Sequence, residues 1–250
     1  MVHLSNFLFA FLFVLQGSSV LCFFQHCDNS RCKNPELLRE LEQLDYMPTT
    51  EEQLNNLCPQ VEEFLQCNSD VLERCTGKSL IELAASDNKT VSAIGHVVRS
   101  IRSIVNDICD SNSAFHQKYL NGIQCFKDLS VDPAPTLKCH QEGHAVYATY
   151  ANSMALLGEK EDALKEESES WCMITAYTLA CFASELHDTC GEEARNIFVD
   201  VLKLFKPLKL NECSETNVQD LRTKFIDFLE LEDDQRSIYS SVFDTRKRRK

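Results

Sequence analysis

Apolar residues recur at steps of three and four along most of the chain, a period that collects them on one side of an α-helix. The clearest run is Val91, Ile94, Val97, Val98, Ile101, Ile104, Val105 and Ile108, with Ser92, Arg99, Arg102, Ser103 and Asn106 on the other side. Leu37, Leu38, Leu41 and Leu44 form a shorter stripe behind Pro35, which a first helical turn accepts. Thr49 with Glu52 has the spacing of a capping box ahead of a short helix, and Thr216 with Gln219 repeats it before Val218, Leu221, Phe225 and Leu229. Glu192 and Glu193 suit the first turn of a helix that carries Ile197, Phe198, Val201, Leu202 and Phe205 and stops at Pro207. The stretch from Trp171 to Ala183 is too short to span a bilayer and is interrupted by Thr175 and Thr178, so it predicts a buried core helix. No segment sustains an alternation of period two, and 7 Gly and 6 Pro leave little material for hairpin turns. The expected fold class is all-α.

The cysteines repeat on top of this period. Cys58, Cys67 and Cys75 reappear as Cys172, Cys181 and Cys190 at offsets of 114, 114 and 115 residues, and an apolar helix after each triplet closes on Cys109 or Cys213. The same offset brings Cys139 near Cys27. An internal duplication follows, with a first helical half at 23–135, a second at 136–232 and an acidic then basic tail at 233–250. Cys58 and Cys67 lie two and a half helical turns apart, as do Cys172 and Cys181, and so point to opposite sides of one helix. Disulfide Cα atoms sit about 4.4–6.8 Å apart, so each of these cysteines must staple its helix to a different neighbour. Spacing leaves the connectivity open.

The N-terminus changes the setting. Phe7 to Leu15 is an apolar core of nine residues followed by Gln16-Gly17-Ser18-Ser19, the layout of a signal peptide and half the length of a membrane span. Cleavage after Ser19 or after Cys22 satisfies the small-residue rule. A signal peptide at 1–22 leaves twelve of the 13 cysteines, an even number that lets all of them pair: Cys27, Cys32, Cys58, Cys67, Cys75, Cys109, Cys125, Cys139, Cys172, Cys181, Cys190 and Cys213. Disulfides on this scale belong to an oxidising, extracellular compartment.

The order Leu57-Cys58, Cys67, Cys75, then Ile108-Cys109, Cys125-Phe126, then Trp171-Cys172, Cys181, Cys190 and Cys213 resembles the arthropod 27 kDa haemolymph glycoprotein family over roughly residues 50–215. The resemblance implies a secreted, cysteine-rich protein of body fluid, and it does not extend to the basic C-terminus.

Charge and motifs narrow the chemistry. The chain carries a formal −13, and its last five residues contribute +5, leaving about −18 on the rest, a surface that repels nucleic acid and anionic membranes. Asn88-Lys89-Thr90 is an N-glycosylation sequon. His140 and His144 are spaced to share a metal ion on a helix, but Glu142 stands one place later than a zincin motif requires and no third ligand is evident. An exposed helix start is the preferred reading, with no metal or cofactor assigned. No Gly-x-Ser-x-Gly and no glycine-rich phosphate loop occurs, and no catalytic residue is assigned. Arg246 to Lys250 fits a dibasic processing site, a sulfated-polysaccharide contact or a solvated end. The expected function is a non-enzymatic extracellular glycoprotein that binds a partner. Its competitor is a carrier of a small hydrophobic ligand in a helix-lined cavity, favoured by the Phe-rich helices and the Cys-x8-Cys spacing, which is similar to that of insect odorant-binding proteins.

Overall fold

The computed structural model describes residues 30–156, 163–205 and 213–244. The expected signal segment 1–22, Cys27, Pro207 and the basic run 246–250 lie outside these residues. Among the described residues the regular elements are all helical and none is a strand, so the protein is all-α and disulfide-rich. The chain divides into two compact units, Met1–Ser130 and Val131–Lys250.

In the first unit a 3-10 turn (Ser30–Cys32) leads to α1 (Pro35–Gln43), α2 (Glu51–Thr76), α3 (Leu80–Ala84), α4 (Lys89–Cys109) and α5 (Ala114–Val131). Pro35 opens α1, where its missing N–H costs nothing, and Asn34 caps it by accepting the Leu37 N–H at 3.0 Å. The capping box of α2 lies one residue later than the sequence predicts. Thr50 Oγ1 accepts the Gln53 N–H at 3.2 Å, and Gln53 Oε1 accepts the Thr50 N–H at 3.2 Å. The helix is also far from short, running 26 residues through Pro59. A proline inside a helix costs about 3 kcal/mol, yet Leu54 and Leu57 before it and Val61, Leu65 and Leu72 after it are all buried, and their shared burial carries the helix across the missing rung. Gly77, in the left-handed region at φ 66°, ends it.

The stripe on α4 forms as its period requires. Ile94, Val98, Ile101 and Ile104 are buried, and Ile94 and Val98 pack with Leu72, Leu80 and Leu83. Gly95 permits this approach: a Cβ there would fall 2.4 Å from the Ala84 backbone nitrogen. Polar bonds to the link between α1 and α2 hold α5, with the Tyr119 hydroxyl donating to the Pro48 carbonyl at 2.8 Å and Lys127 Nζ to the Leu44 carbonyl at 2.7 Å.

The second unit contains α6 (Pro133–Leu156), α7 (Ala163–Phe205), α8 (Glu215–Asp220), a π-helical turn (Leu221–Phe225), α9 (Ile226–Phe228) and α10 (Asp233–Phe243). Both α6 and α10 pack on α7. The predicted core helix lies within α7, where Cys172 to Ile174, Ala176 and Thr178 to Ser184 are buried while Trp171 is 55% exposed. Gly191, at φ 82°, breaks α7, and Glu192 and Glu193 start the following helical segment. Ser214, rather than Thr216, caps α8 by accepting the Asn217 N–H at 3.0 Å. Residues 233–243, expected as part of the tail, are helical instead. Asp233 and Asp234 occupy the favourable first turn of α10, and Ile238, Tyr239, Val242 and Phe243 are buried against the unit. Four apolar positions behind an acidic cluster make too brief a stripe to read from the sequence.

The disulfides reveal one plan used twice. In the first unit Cys67 on α2 bonds back to Cys32 and Cys58 bonds forward to Cys109; in the second, Cys181 on α7 bonds back to Cys139 and Cys172 forward to Cys213. The two cysteines on each central helix therefore staple it to different neighbours, as opposite sides demand. The counterpart of Cys139 is Cys32, not Cys27 as the constant offset implies, because the segments before the two central helices differ in length. Cys75, Cys125 and Cys190 are also disulfide-bonded.

Candidate functional site

On α2, Pro59, Glu62, Glu63 and Gln66 share the side that faces away from buried Val61. Arg102 and Asn106 stand one turn apart on the polar side of α4. Between these rows runs an open groove of about 610 Å³, floored in part by Leu65. Arg102 Nη2 donates to Gln66 Oε1 at 2.6 Å and so links the two walls. The Cys58–Cys109 disulfide ties the same two helices covalently, with Cα atoms 5.6 Å apart. A guanidinium among two exposed carboxylates and two amides suits a polar partner with hydrogen-bonding groups of both kinds.

A second polar cluster sits in the second unit. Lys138 Nζ of α6 meets Glu185 Oε1 of α7 at 2.6 Å, and this carboxylate raises the lysine above its ordinary value. Tyr177 of α7 hydrogen-bonds with Glu142 of α6 and with Tyr239 of α10, the two tyrosine rings lying 5.7 Å apart. Burial pushes both phenols upward, and the neighbouring acid adds to it. They keep their protons at neutral pH and act as fixed donors that fasten α10 to α7. Glu142 Oε2 also lies 3.7 Å from Cys181 Sγ, but that sulfur belongs to a disulfide and has no proton to donate.

Asn88 is exposed at the N-terminus of α4, where its Oδ1 accepts the Val91 N–H at 3.1 Å. A glycan attaches through the amide nitrogen, so capping and glycosylation use different atoms. His140 and His144 are exposed and well inside α6, which begins at Pro133, rather than at a helix start. Their Nε2 atoms lie 3.3 Å apart and their rings meet edge to face.

One residue carries chemistry that local sequence does not announce. His116 on α5 is buried, with Nδ1 against the Ile108 carbonyl at the end of α4 and Nε2 2.9 Å from Glu51 Oε2 at the start of α2. Both nitrogens face acceptors, an arrangement that only the doubly protonated ring satisfies. Burial opposes that charge, but the Ile108 carbonyl and Glu51, with Asp110 nearby, outweigh it and hold the histidine above its ordinary value. Its carboxylate partner is 65 residues away, so no spacing rule could have found the pair.

No helix among the described residues is long and apolar enough to cross a membrane. Compared with known proteins, the chain matches no family model, no curated protein and no solved structure.

Proposed function

We propose that this chain is a secreted, non-enzymatic glycoprotein of an extracellular fluid, haemolymph or a glandular secretion, that binds a polar partner in the groove between α2 and α4. The observation that carries the reading is the groove itself: about 610 Å³ between two helices cross-linked by Cys58–Cys109, lined by Glu62, Glu63, Gln66, Arg102 and Asn106. The cross-link fixes the walls before any partner arrives, so little ordering entropy opposes binding. Secretion is supported by the apolar segment Phe7 to Leu15 and by the disulfides, and glycosylation by the exposed Asn88. A small hydrophobic ligand is a poor match for this groove, because charged and amide groups would lose water without gaining partners.

The experiment is affinity capture from the native fluid with the wild-type protein and with Arg102→Glu, each first checked by native and denaturing mass spectrometry. The reading requires a partner held by the wild type and lost by the variant, and a mass increment of hexose units that disappears in Asn88→Gln. Equal capture by both proteins sinks the groove. A native mass a few hundred daltons above the denatured one would hand the function to a carried small molecule.

A further inference from the structure

The structure assigns a second binding site to the other unit: we infer that His140 and His144 together bind a divalent zinc- or copper-class ion on the exposed face of α6. Two Zn–N bonds of about 2.0–2.1 Å at the tetrahedral angle place their nitrogens about 3.3–3.4 Å apart. The Nε2 atoms of His140 and His144 stand 3.3 Å apart with their rings edge to face, so their spacing already matches that of two nitrogens on one ion and only ring rotation is needed to aim both at it. Without metal, this separation suits one ring donating its N–H to the lone pair of the other. The ion takes the place of that shared proton: the donating ring changes to the tautomer protonated on Nδ1, no net proton is lost from the neutral pair, and both Nε2 atoms then coordinate through lone pairs.

The surroundings favour the site without completing it in protein. Cys139, one residue before His140, is bonded to Cys181, which fixes this turn of α6 against α7. Lys138, the nearest cation in sequence, is paired with Glu185 at 2.6 Å. Glu142, whose position argues against a zincin motif, is engaged by Tyr177. Among the described residues no group of three or more His, Cys, Asp or Glu is placed to hold an ion, so water would fill the remaining coordination positions. A site of two imidazoles with open positions takes imidazole-preferring d-block dications and rejects Ca²⁺ and Mg²⁺, which require oxygen ligands.

Isothermal titration of the intact, oxidised protein with Zn²⁺ alone tests the site, and a Cu²⁺ titration followed by electron paramagnetic resonance reads the donor atoms. The expected result is one site with a signature of two nitrogens, weakened at least tenfold in His140→Ala and in His144→Ala and unchanged in His187→Ala, a control histidine on α7 rather than α6. Ca²⁺ should give no heat. Both mutated side chains are exposed, so the variants should keep the wild-type circular dichroism and melting temperature, which separates lost ligation from lost fold. Equal Zn²⁺ affinity in wild type and both variants, or no Zn²⁺ binding at millimolar concentration, would overturn the assignment and leave the pair a hydrogen bond.

Discussion

The two units share a covalent frame and differ in what fills it. In each, a central helix carries two cysteines nine positions apart, one bonded backward and one forward. The closed segments span 35 and 51 residues in the first unit and 42 and 41 in the second. In the first, polar bonds decide much of the arrangement: His116 fastens α5 to the ends of α2 and α4, Tyr119 and Lys127 fasten it to the link between α1 and α2, and Arg102 bridges the groove. In the second, rings do it: Tyr150 meets Phe225 at 5.2 Å, Phe182 meets Phe198 at 5.3 Å, and Tyr239 meets Phe243 at 6.0 Å. A frame that fixes where helices start and end leaves their facing side chains free to specialise.

The largest expected effects come from breaking the frame. Cross-links that close loops of 51 and 41 residues restrict the unfolded chain by nearly equal amounts, because the entropy depends on the logarithm of loop length. Replacing Cys58 with Cys109, or Cys172 with Cys213, by serine should each cost about 4 kcal/mol. Urea denaturation followed by circular dichroism measures both. Trp171, the only tryptophan, lies beside Cys172, and its fluorescence follows the second unit. Two clearly unequal costs would mean that the filling, not the frame, sets the stability of each unit.

Close helix contacts come next, and they too differ between the units. A Cβ at Gly95 would lie 2.4 Å from the Ala84 nitrogen and 2.8 Å from its Cα, positions that only a shift of α3 can relieve. Gly95→Ala should therefore cost about 3 kcal/mol. At Gly143 the nearest atom, the Ile174 carbonyl oxygen, would be 3.3 Å away, and Gly143→Ala should cost less than about 1 kcal/mol. Melting temperatures of the two variants decide it, and a reversal of their order would contradict the packing described.

These contrasts show what a sequence can and cannot carry. The period of Val91 to Ile108 demanded one helix with one buried side, because a single stripe has only one way to hide from water. The opposite-side argument for Cys58 and Cys67 held for the same reason, being a property of helical geometry within nine residues. Boundaries failed where two neighbouring residues offered the same chemistry. Thr49 and Thr50 both precede a plausible partner, and only the tertiary path of the chain selects Thr50 with Gln53. The equivalence of Cys139 with Cys32 and the pairing of His116 with Glu51 were illegible because both depend on contacts between distant segments. The groove was half visible, since Arg102 and Asn106 stood out on the polar side of α4 while the facing row on α2 did not.

Replacing His116 with alanine removes a buried ring that serves two acceptors and should cost about 2 kcal/mol. The smaller effect is its dependence on pH, which separates charge from packing. A histidine raised above 6.5 in the folded protein contributes stability that is complete below that value and fades as pH climbs through the higher folded one. Its charge is favoured by the Ile108 carbonyl, Glu51 and Asp110 and opposed by burial, so acid up to that limit strengthens the contact between α5 and the ends of α2 and α4. Glu51→Gln keeps an acceptor near Nε2 and deletes the carboxylate charge. Because the Glu51 side chain is 49% exposed, water screens the pair, and the change between pH 6 and pH 8 attributable to that charge should stay below about 1 kcal/mol. Urea midpoints across this range should fall less steeply with rising pH in Glu51→Gln than in the wild type. If the two pH profiles superimpose, the imidazole is neutral in the folded chain and its second nitrogen is held by packing alone.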